Sequence, residues 1–295
     1  MKRGRDRGTD TAATVRDYYD SNTGLFLRLG IGRRTLAIRR AVWAKGVGSP
    51  EEAVNYVNSL VAAEAAPAVK EPELRILDIG CGVGGSLFYL ADSVSVPLRG
   101  VGVTISPRQA DTARRQARMR GLSDRLSFIA GDFTQVSALP TFHLAFAIES
   151  FVHFASPAAF FAPASVRLGP GGRLVVVDDF LSVNHRARNP HSRAEGRLIE
   201  AFRHGWVLSS LCAVDRSVQA ATECGLRLVE DRDLSRFLSQ LRLGTRIGRS
   251  AVSVLRAIPV PWLYWRSSVG SLALAACRRA GLIDYRFLVF EKQRG

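Results

Sequence analysis

Between residues 75 and 180, short apolar runs rich in β-branched residues alternate with stretches whose apolar positions recur every three or four residues. RILDI (75–79), LRGVGVTI (98–105), LSFIA (126–130), HLAFAIE (143–149) and RLVVVDDF (173–180) read as strands. The intervening segments, one ending near Asp92, one over 107–120 and one reaching Ala164, carry helical spacing. Strict alternation of this kind predicts a parallel sheet covered on both faces by helices. Past Phe180 the pattern loosens through SVNHRARNPHSRAEGR into an amphipathic segment. A helix near residues 215–224, the strand LRLVED (226–231) and a closing strand YRFLVFEK (285–292) then bring the expected sheet to seven strands. Upstream, from Thr11 to about Val69, helical spacing is interrupted at Gly30, Gly32, Gly46 and Gly48, which predicts several short helices ahead of the core. Pro67 and Pro72 bracket a linker, and no internal repeat is visible.

Composition narrows the class. At 295 residues and 47% hydrophobic content the chain can bury one sizeable core with a smaller covering lobe. Cys81, Cys212, Cys224 and Cys277 stand far apart with no CxxC pair, which argues against a disulfide framework or a zinc site and fits a reducing cytoplasm. His185, His191 and His204 have no helical metal-ligand spacing, so no metal is expected. The basic N-terminus lacks the apolar centre of a signal peptide, and no run approaches the roughly 18 apolar residues of a membrane span. The expectation is a soluble protein, at most peripheral at a membrane.

The formal charge of +15 invites a nucleic-acid reading, and its distribution weakens that reading. Residues 1–45 hold 11 Lys and Arg against 4 Asp and Glu, residues 46–180 hold 11 against 13, and residues 181–295 hold 19 against 9. The stretch with the strongest strand pattern is therefore nearly neutral. Solvated faces rich in arginine account for most of the excess, an anionic surface or substrate for less, and nucleic acid is not the expected partner.

The strongest chemical signal is LDIGCGVGG (77–85), an acid and alternating glycines directly after one strand and ahead of a helix. Gly80, Gly82 and Gly84 permit a tight turn and close approach of a ligand, and the helix that follows offers unpaired amides and a positive dipole end. A ligand with a carboxylate suits that end, and Asp78 would orient the loop or pair with a cationic amino group. A dinucleotide-binding turn also uses glycines here, in a GxGxxG spacing, but the acid before the first glycine points to S-adenosylmethionine rather than NAD.

On these residues the chain resembles the class I S-adenosylmethionine-dependent methyltransferases, in the branch of the sterol and tocopherol C-methyltransferases and the cyclopropane fatty acid synthases. The resemblance covers roughly residues 16–180 and the final strand. It implies a Rossmann-like methyltransferase fold, a doubly wound, mainly parallel seven-stranded α/β sheet with a helical lid. VGVTISPRQA (101–110) looks like the end of strand two in this branch, which makes Thr104, Ile105 and Gln109 cofactor contacts. AGDF (130–133) is similar to the strand-three motif, with Asp132 at the adenine amino group and Phe133 packed on the ring. YYDSNTGLFLRLG (18–30) looks like the N-terminal segment of the cyclopropane synthases, in which Tyr19 would close over the methionine part. Asp78, Gly80, Cys81, Gly82 and Gly84 complete the implied cofactor set.

Within this frame residues 1–10 form a flexible basic tail, 11–69 an N-terminal helical lid, 70–183 the cofactor-binding core and 184–212 a lid insertion. Residues 213–234 return to the core, 235–283 form a second lid insertion, and 284–295 hold the final core strand. AIESFVHF (147–154) puts Glu149 and His153 at the end of strand four, in the E-x-x-x-H spacing that the sterol and tocopherol enzymes show at this place. Both are candidates for assisting proton removal. Cyclopropane synthases carry a glutamate directly before His-Phe, where this chain has Val152, which argues against cyclopropanation of lipids. Asp178 and Asp179 point to opposite faces of their strand, so at most one would reach a ligand. Trp206, Trp262 and Tyr264, from the two insertions, are expected to line an apolar substrate pocket, and the aromatic, Arg-flanked stretch 250–282 could lie on a lipid surface.

The expected activity is methyl transfer to a small, largely apolar acceptor, isoprenoid-like or otherwise lipophilic, with C-methylation foremost. The alternatives are O- or N-methylation of a specialised metabolite, a nucleic-acid methyltransferase, and an inactive partner subunit. Strand four ends without an Asn/Asp-Pro-Pro-aromatic motif, which counts against the nucleic-acid enzyme.

Overall fold

The computed structural model describes residues 13–17, 20, 35–36, 39–65, 72–182, 193–238 and 262–294, with side chains from 268 onward in the last stretch. The expectations for the tail at 1–10, for Tyr19 and most of its segment, for His185 and His191, and for 239–261 lie outside the described residues, as do the side chains of Trp262 and Tyr264.

Seven strands form one sheet: β1 (Leu74–Ile79), β2 (Leu98–Thr104), β3 (Leu126–Ala130), β4 (Phe142–Ile148), β5 (Leu168–Leu181), β6 (Leu226–Asp233) and β7 (Ile283–Lys292). Their order across the sheet is β3-β2-β1-β4-β5-β7-β6. The first five are parallel, and β7 runs antiparallel between β5 and β6. Central strands are buried along nearly their whole length, as expected of a sheet covered on both faces. One core layer on each face does the covering, centred on Phe151, Phe160, Phe161, Phe180 and Phe290 on one side and on Phe88, Phe146, Tyr285 and Phe287 on the other.

Helices lying wholly within the described residues from Pro50 on are α1 (Pro50–Glu64), α2 (Gly85–Ser93), α3 (Pro107–Met119), α4 (Pro157–Val166), α5 (Arg193–Trp206), α6 (Val214–Glu223) and α7 (Trp262–Arg279). Three begin on the same dipeptide. In α1, α3 and α4 a serine (Ser49, Ser106, Ser156) accepts a first-turn amide and the next residue is proline, whose missing N–H costs nothing there. Helix α2 starts differently. Its N-cap is Gly84 in the left-handed region at φ 89°, and no side chain caps it.

β5 begins five residues earlier than the RLVVVDDF pattern indicates, because LGPGG turns at Gly171 (φ 72°) and stays paired beside β4 with a shift of register between Phe142 and Leu144. Downstream, α5 and α7 lie against each other. A Cβ on Gly270 would come within 2.1 Å of Trp206, so only glycine permits this approach. Residues 235–238 are bound to the N-terminal part of the chain rather than standing apart from it: the Trp43 N–H donates to the Phe237 carbonyl at 2.7 Å, and Val42 bridges Leu238.

Candidate active site

β1 and β4 are adjacent while the chain order runs outward from them in both directions, which makes the gap beyond their carboxyl ends the natural crevice of the sheet. A cavity of about 870 Å³ lies there. Three turns build one end of it. The first follows β1, where Gly80, Gly82 and Gly84 all have positive φ. A Cβ on Gly80 would come within 2.4 Å of the Ser150 Cβ, whereas one on Gly82 would meet nothing within 4 Å and would project into open space. The second turn follows β2, where the Thr104 hydroxyl donates to Gln109 Oε1 at 2.8 Å and Ser106 caps α3. The third follows β3, where Asp132 Oδ1 accepts from the Thr134 amide and hydroxyl, and Phe133 packs edge-on to Phe154 with centroids 6.3 Å apart.

The structure brings Asp78, Gly80, Cys81, Gly82, Thr104, Ile105, Gln109, Asp132, Phe133, Glu149 and His153 to the wall of this one cavity. Gly84 lies behind the wall, against Phe128 and Phe88. Trp206 is not on the wall either. It packs on Phe202 and over the Arg40 guanidinium, and its indole N–H has no partner among the described residues. Neither Asp178 nor Asp179 reaches the cavity. Asp178 accepts the amides of Val152 and Asp179, and Asp179 is taken by arginines.

Asp78 is 2% exposed, and its Oδ2 has no hydrogen-bond partner among the described residues. Burial pushes its carboxyl up to about 8, against the opposing pull of Arg39. Glu149 closes β4 with a left-handed backbone at φ 53°, held by its own amide on the Val177 carbonyl. Its Oε1 accepts from the Arg40 amide at 3.1 Å and the Tyr285 hydroxyl at 2.9 Å. Burial pulls the His153 imidazole down to about 4, with the Val207 carbonyl opposing. The neutral ring contacts that carbonyl through Nδ1 at 3.2 Å, which places the N–H on Nδ1 and leaves Nε2 as the proton acceptor. Val207 is itself a β-branched residue at φ 56°, and its loop is fastened by the Ser209 and Ser210 amides on the Val152 carbonyl.

Sequence reading did not identify Arg39 and Arg40. Arg39 lines the cavity. Arg40 forks onto Asp179 at 2.8 and 2.6 Å, with Arg278 adding a third contact at 3.1 Å, and lies between the rings of Trp206 and Tyr285. The available signal was two adjacent cations inside the apolar stretch LAIRRAVWA, where a buried charge needs a partner.

Residues 76–172 match the family model described as a methyltransferase domain. With the sheet order and the acid-glycine turn around them, those residues make up a methyltransferase domain. Sterol and tocopherol methyltransferases are among the proteins that the chain is similar to. It is 29% identical over 189 residues to a probable tocopherol O-methyltransferase of Oryza sativa, covering 62% of this chain and 50% of that one. Identity to the sterol 24-C-methyltransferase of Aspergillus fumigatus is also 29%, over 55% of this chain and 42% of that one. The chain thus spans about half the length of these two relatives. An O-methyltransferase of Pyrenophora dematioidea is 26% identical over 91% of this chain and 97% of its own. Among solved structures, a cyclopropane synthase from Mycobacterium tuberculosis shares the fold at a TM-score of 0.73 and 20% identity, covering 99% of this chain and 100% of that one. The geranyl diphosphate C-methyltransferase of Streptomyces coelicolor, solved with S-adenosylhomocysteine, does so at 0.66 and 15%, covering 96% and 98%.

The residues present fit S-adenosylmethionine. Asp78 offers a buried carboxyl oxygen with no partner among the described residues, and Gly82 leaves open the space that any side chain would fill.

Proposed function

We propose that this protein transfers a methyl group from S-adenosylmethionine to a small, largely apolar acceptor, isoprenoid-like or otherwise lipophilic, with carbon as the foremost methylated atom. The observation that carries the reading is that Glu149 and His153 share one cavity wall with the cofactor residues. When bound, the cofactor supplies an electrophilic methyl carbon on a sulfonium. The protein's part is to orient the acceptor, exclude water and accept a proton. In this reading Asp78, the glycine turn, Thr104, Gln109, Asp132 and Phe133 hold the cofactor. Glu149, already bonded to Arg40 and Tyr285, presents a fixed negative charge where positive charge is to be stabilised. His153 is the proton acceptor through Nε2. A ring pulled down to about 4 is a weak base, so it suits a proton that is released late, from a cationic acceptor, rather than one removed beforehand.

The relatives named for tocopherol and sterol acceptors, and the apolar wall of Leu36, Ile148, Phe154, Ala159 and Pro163, support a lipophilic substrate. Methylation at oxygen is the second reading, favoured by the Pyrenophora relative that matches over nearly its full length. A methyl-labelled cofactor incubated with a panel of isoprenoid and phenolic acceptors, followed by NMR of the product, separates carbon from heteroatom methylation. Glu149→Gln and His153→Ala should each lower turnover by about 10²–10⁴-fold while S-adenosylhomocysteine still binds. Equal loss of binding in both would remove their proposed roles. Cytoplasmic placement and contact with a membrane surface belong to the same reading. Among the described residues no helix is long and apolar enough to cross a membrane, and co-sedimentation with anionic vesicles tests the surface contact.

A further inference from the structure

Behind the cavity wall lies a group of buried charges whose partners are unevenly shared. Asp179 on β5 and Tyr285 on β7 are direct cross-strand neighbours, so their side chains rise on one face of the sheet, beside Glu149 at the end of β4. Arg40 and Arg278 both place their guanidinium groups on Asp179, at 2.8 and 2.6 Å for the Arg40 fork and 3.1 Å for Arg278. Glu149 receives neither. Its Oε1 accepts the Arg40 amide at 3.1 Å and the Tyr285 hydroxyl at 2.9 Å. Among the described residues it meets a cation only at 3.9 Å, where Arg40 Nε faces its Oε2.

Exposure runs the same way. The Asp179 side chain is 1% exposed and stays off the cavity wall, whereas that of Glu149 is 11% exposed and lines the cavity. Burial and the Asp179 charge push the neighbouring Asp178 carboxyl well up, toward its neutral form. Burial works against the charge on Arg40, but Asp179 and then Glu149 more than restore it. Burial and the Glu149 charge push the Tyr285 hydroxyl well up, so it stays a neutral donor. Glu149 is therefore fixed by a backbone amide and a hydroxyl, neither of which cancels its charge.

We propose that Asp179 and Tyr285 are positioning residues for Glu149. Asp179 holds the Arg40 guanidinium away from it, and Tyr285 fixes it through a neutral hydrogen bond, so that its negative charge is kept for a cationic centre in the cavity. The proposal rests on the cofactor reading, because the positive sulfur of S-adenosylmethionine is such a centre. A guanidinium released from Asp179 has only to turn on its own side chain to close the 3.9 Å gap and cancel the charge that faces the ligand. The two carboxylates at the ends of adjacent strands thus have separate tasks, one toward the scaffold and one toward the ligand.

Calorimetric titration with S-adenosylmethionine and S-adenosylhomocysteine tests this without any acceptor, since the two differ only by the methyl group and its positive charge. The ratio of their affinities cancels what a variant does to the rest of the site. Glu149→Gln should lower the preference for S-adenosylmethionine by about 5- to 50-fold. Asp179→Asn should lower it by about 3- to 30-fold and Tyr285→Phe by about 2- to 5-fold, although neither residue lines the cavity. Neither change should add to that of Glu149→Gln. Arg40→Met in the Asp179→Asn protein should restore the preference, because that guanidinium can no longer reach Glu149, whereas a purely structural role for Asp179 would leave it lost. A preference untouched by Asp179→Asn, or not restored by Arg40→Met, overturns the role of Asp179. Tyr285→Phe keeps the ring and decides the case for a protein in which Asp179→Asn does not fold: equal weakening of both ligands, or of neither, overturns the proposal. If Glu149→Gln leaves the ratio unchanged, the charge role of Glu149 fails and the proposal with it. If the unsubstituted protein binds neither ligand, it is the cofactor reading that fails, a separate outcome.

Discussion

Asp78 decides how the site responds to pH. A carboxyl pushed up to about 8 is largely protonated at neutrality, and it must lose that proton before it can accept a cationic ammonium. Affinity for S-adenosylhomocysteine should therefore rise between pH 6 and 8, by up to about tenfold per unit at the acid end, and level off above. Asp78→Asn should flatten the profile and lower its plateau, and a profile that stays flat in the unsubstituted protein would sink the role. The sign for stability is opposite. The folded state holds this proton from the unfolded value near 4 up to about 8, so Asp78 makes the ligand-free fold lose stability as pH climbs through that window. Asp78 and its glycines were legible in the sequence because the signal is local: an acid and a turn in nine consecutive residues. The placement of Arg39 was not, since the groups it meets, Asn58, Ser86 and Asp78, come from three other segments.

At the scale of elements, strands β1 to β4 fall within a residue or two of their sequence patterns, because a strand buried on both faces has to be a nearly continuous apolar run. The Ser-Pro starts of α1, α3 and α4 are equally local. What periodicity cannot show is the joint among distant elements. Asp179 at the end of β5 gathers Arg40 from the N-terminal segment and Arg278 from α7, while Glu149 at the end of β4 takes the Arg40 amide and the hydroxyl of Tyr285 on β7. Asp179 is 1% exposed, so removing its charge leaves Arg40 with only the more distant Glu149 at 3.9 Å and takes from Arg278 its carboxylate at 3.1 Å. Asp179→Asn should cost about 3–5 kcal/mol of stability, read by urea unfolding, whereas Arg40→Met combined with Asp179→Asn should lose less than the two single changes summed. Strict additivity would mean that the cluster is not one unit.

Across the whole molecule the sheet fixes where chemistry can occur, and the segments on either side decide what the cavity becomes. The parallel, doubly covered sheet follows from the alternating pattern, while the antiparallel place of β7 between β5 and β6 does not. The cover does not follow from pattern in the same way, since it is assembled by tertiary contacts such as Val42 on Leu238, Trp43 on Phe237 and Trp206 on Gly270. If residues 39–43 belong to the cofactor site, binding at the glycine turn has to tighten them as well. A hundredfold excess of S-adenosylhomocysteine over its Kd adds about 2.7 kcal/mol to a native state that alone binds it, which should raise Tm on the order of 5 °C. The same addition should slow hydrogen exchange at the amides of Arg40, Val42 and Trp43, which donate to Glu149, Ala53 and Phe237, together with those of the glycine turn. A rise in Tm with protection confined to residues 78–87 would show that the glycine turn binds the ligand alone. Protection at both places would show that the N-terminal segment and the sheet close on the cofactor as one unit.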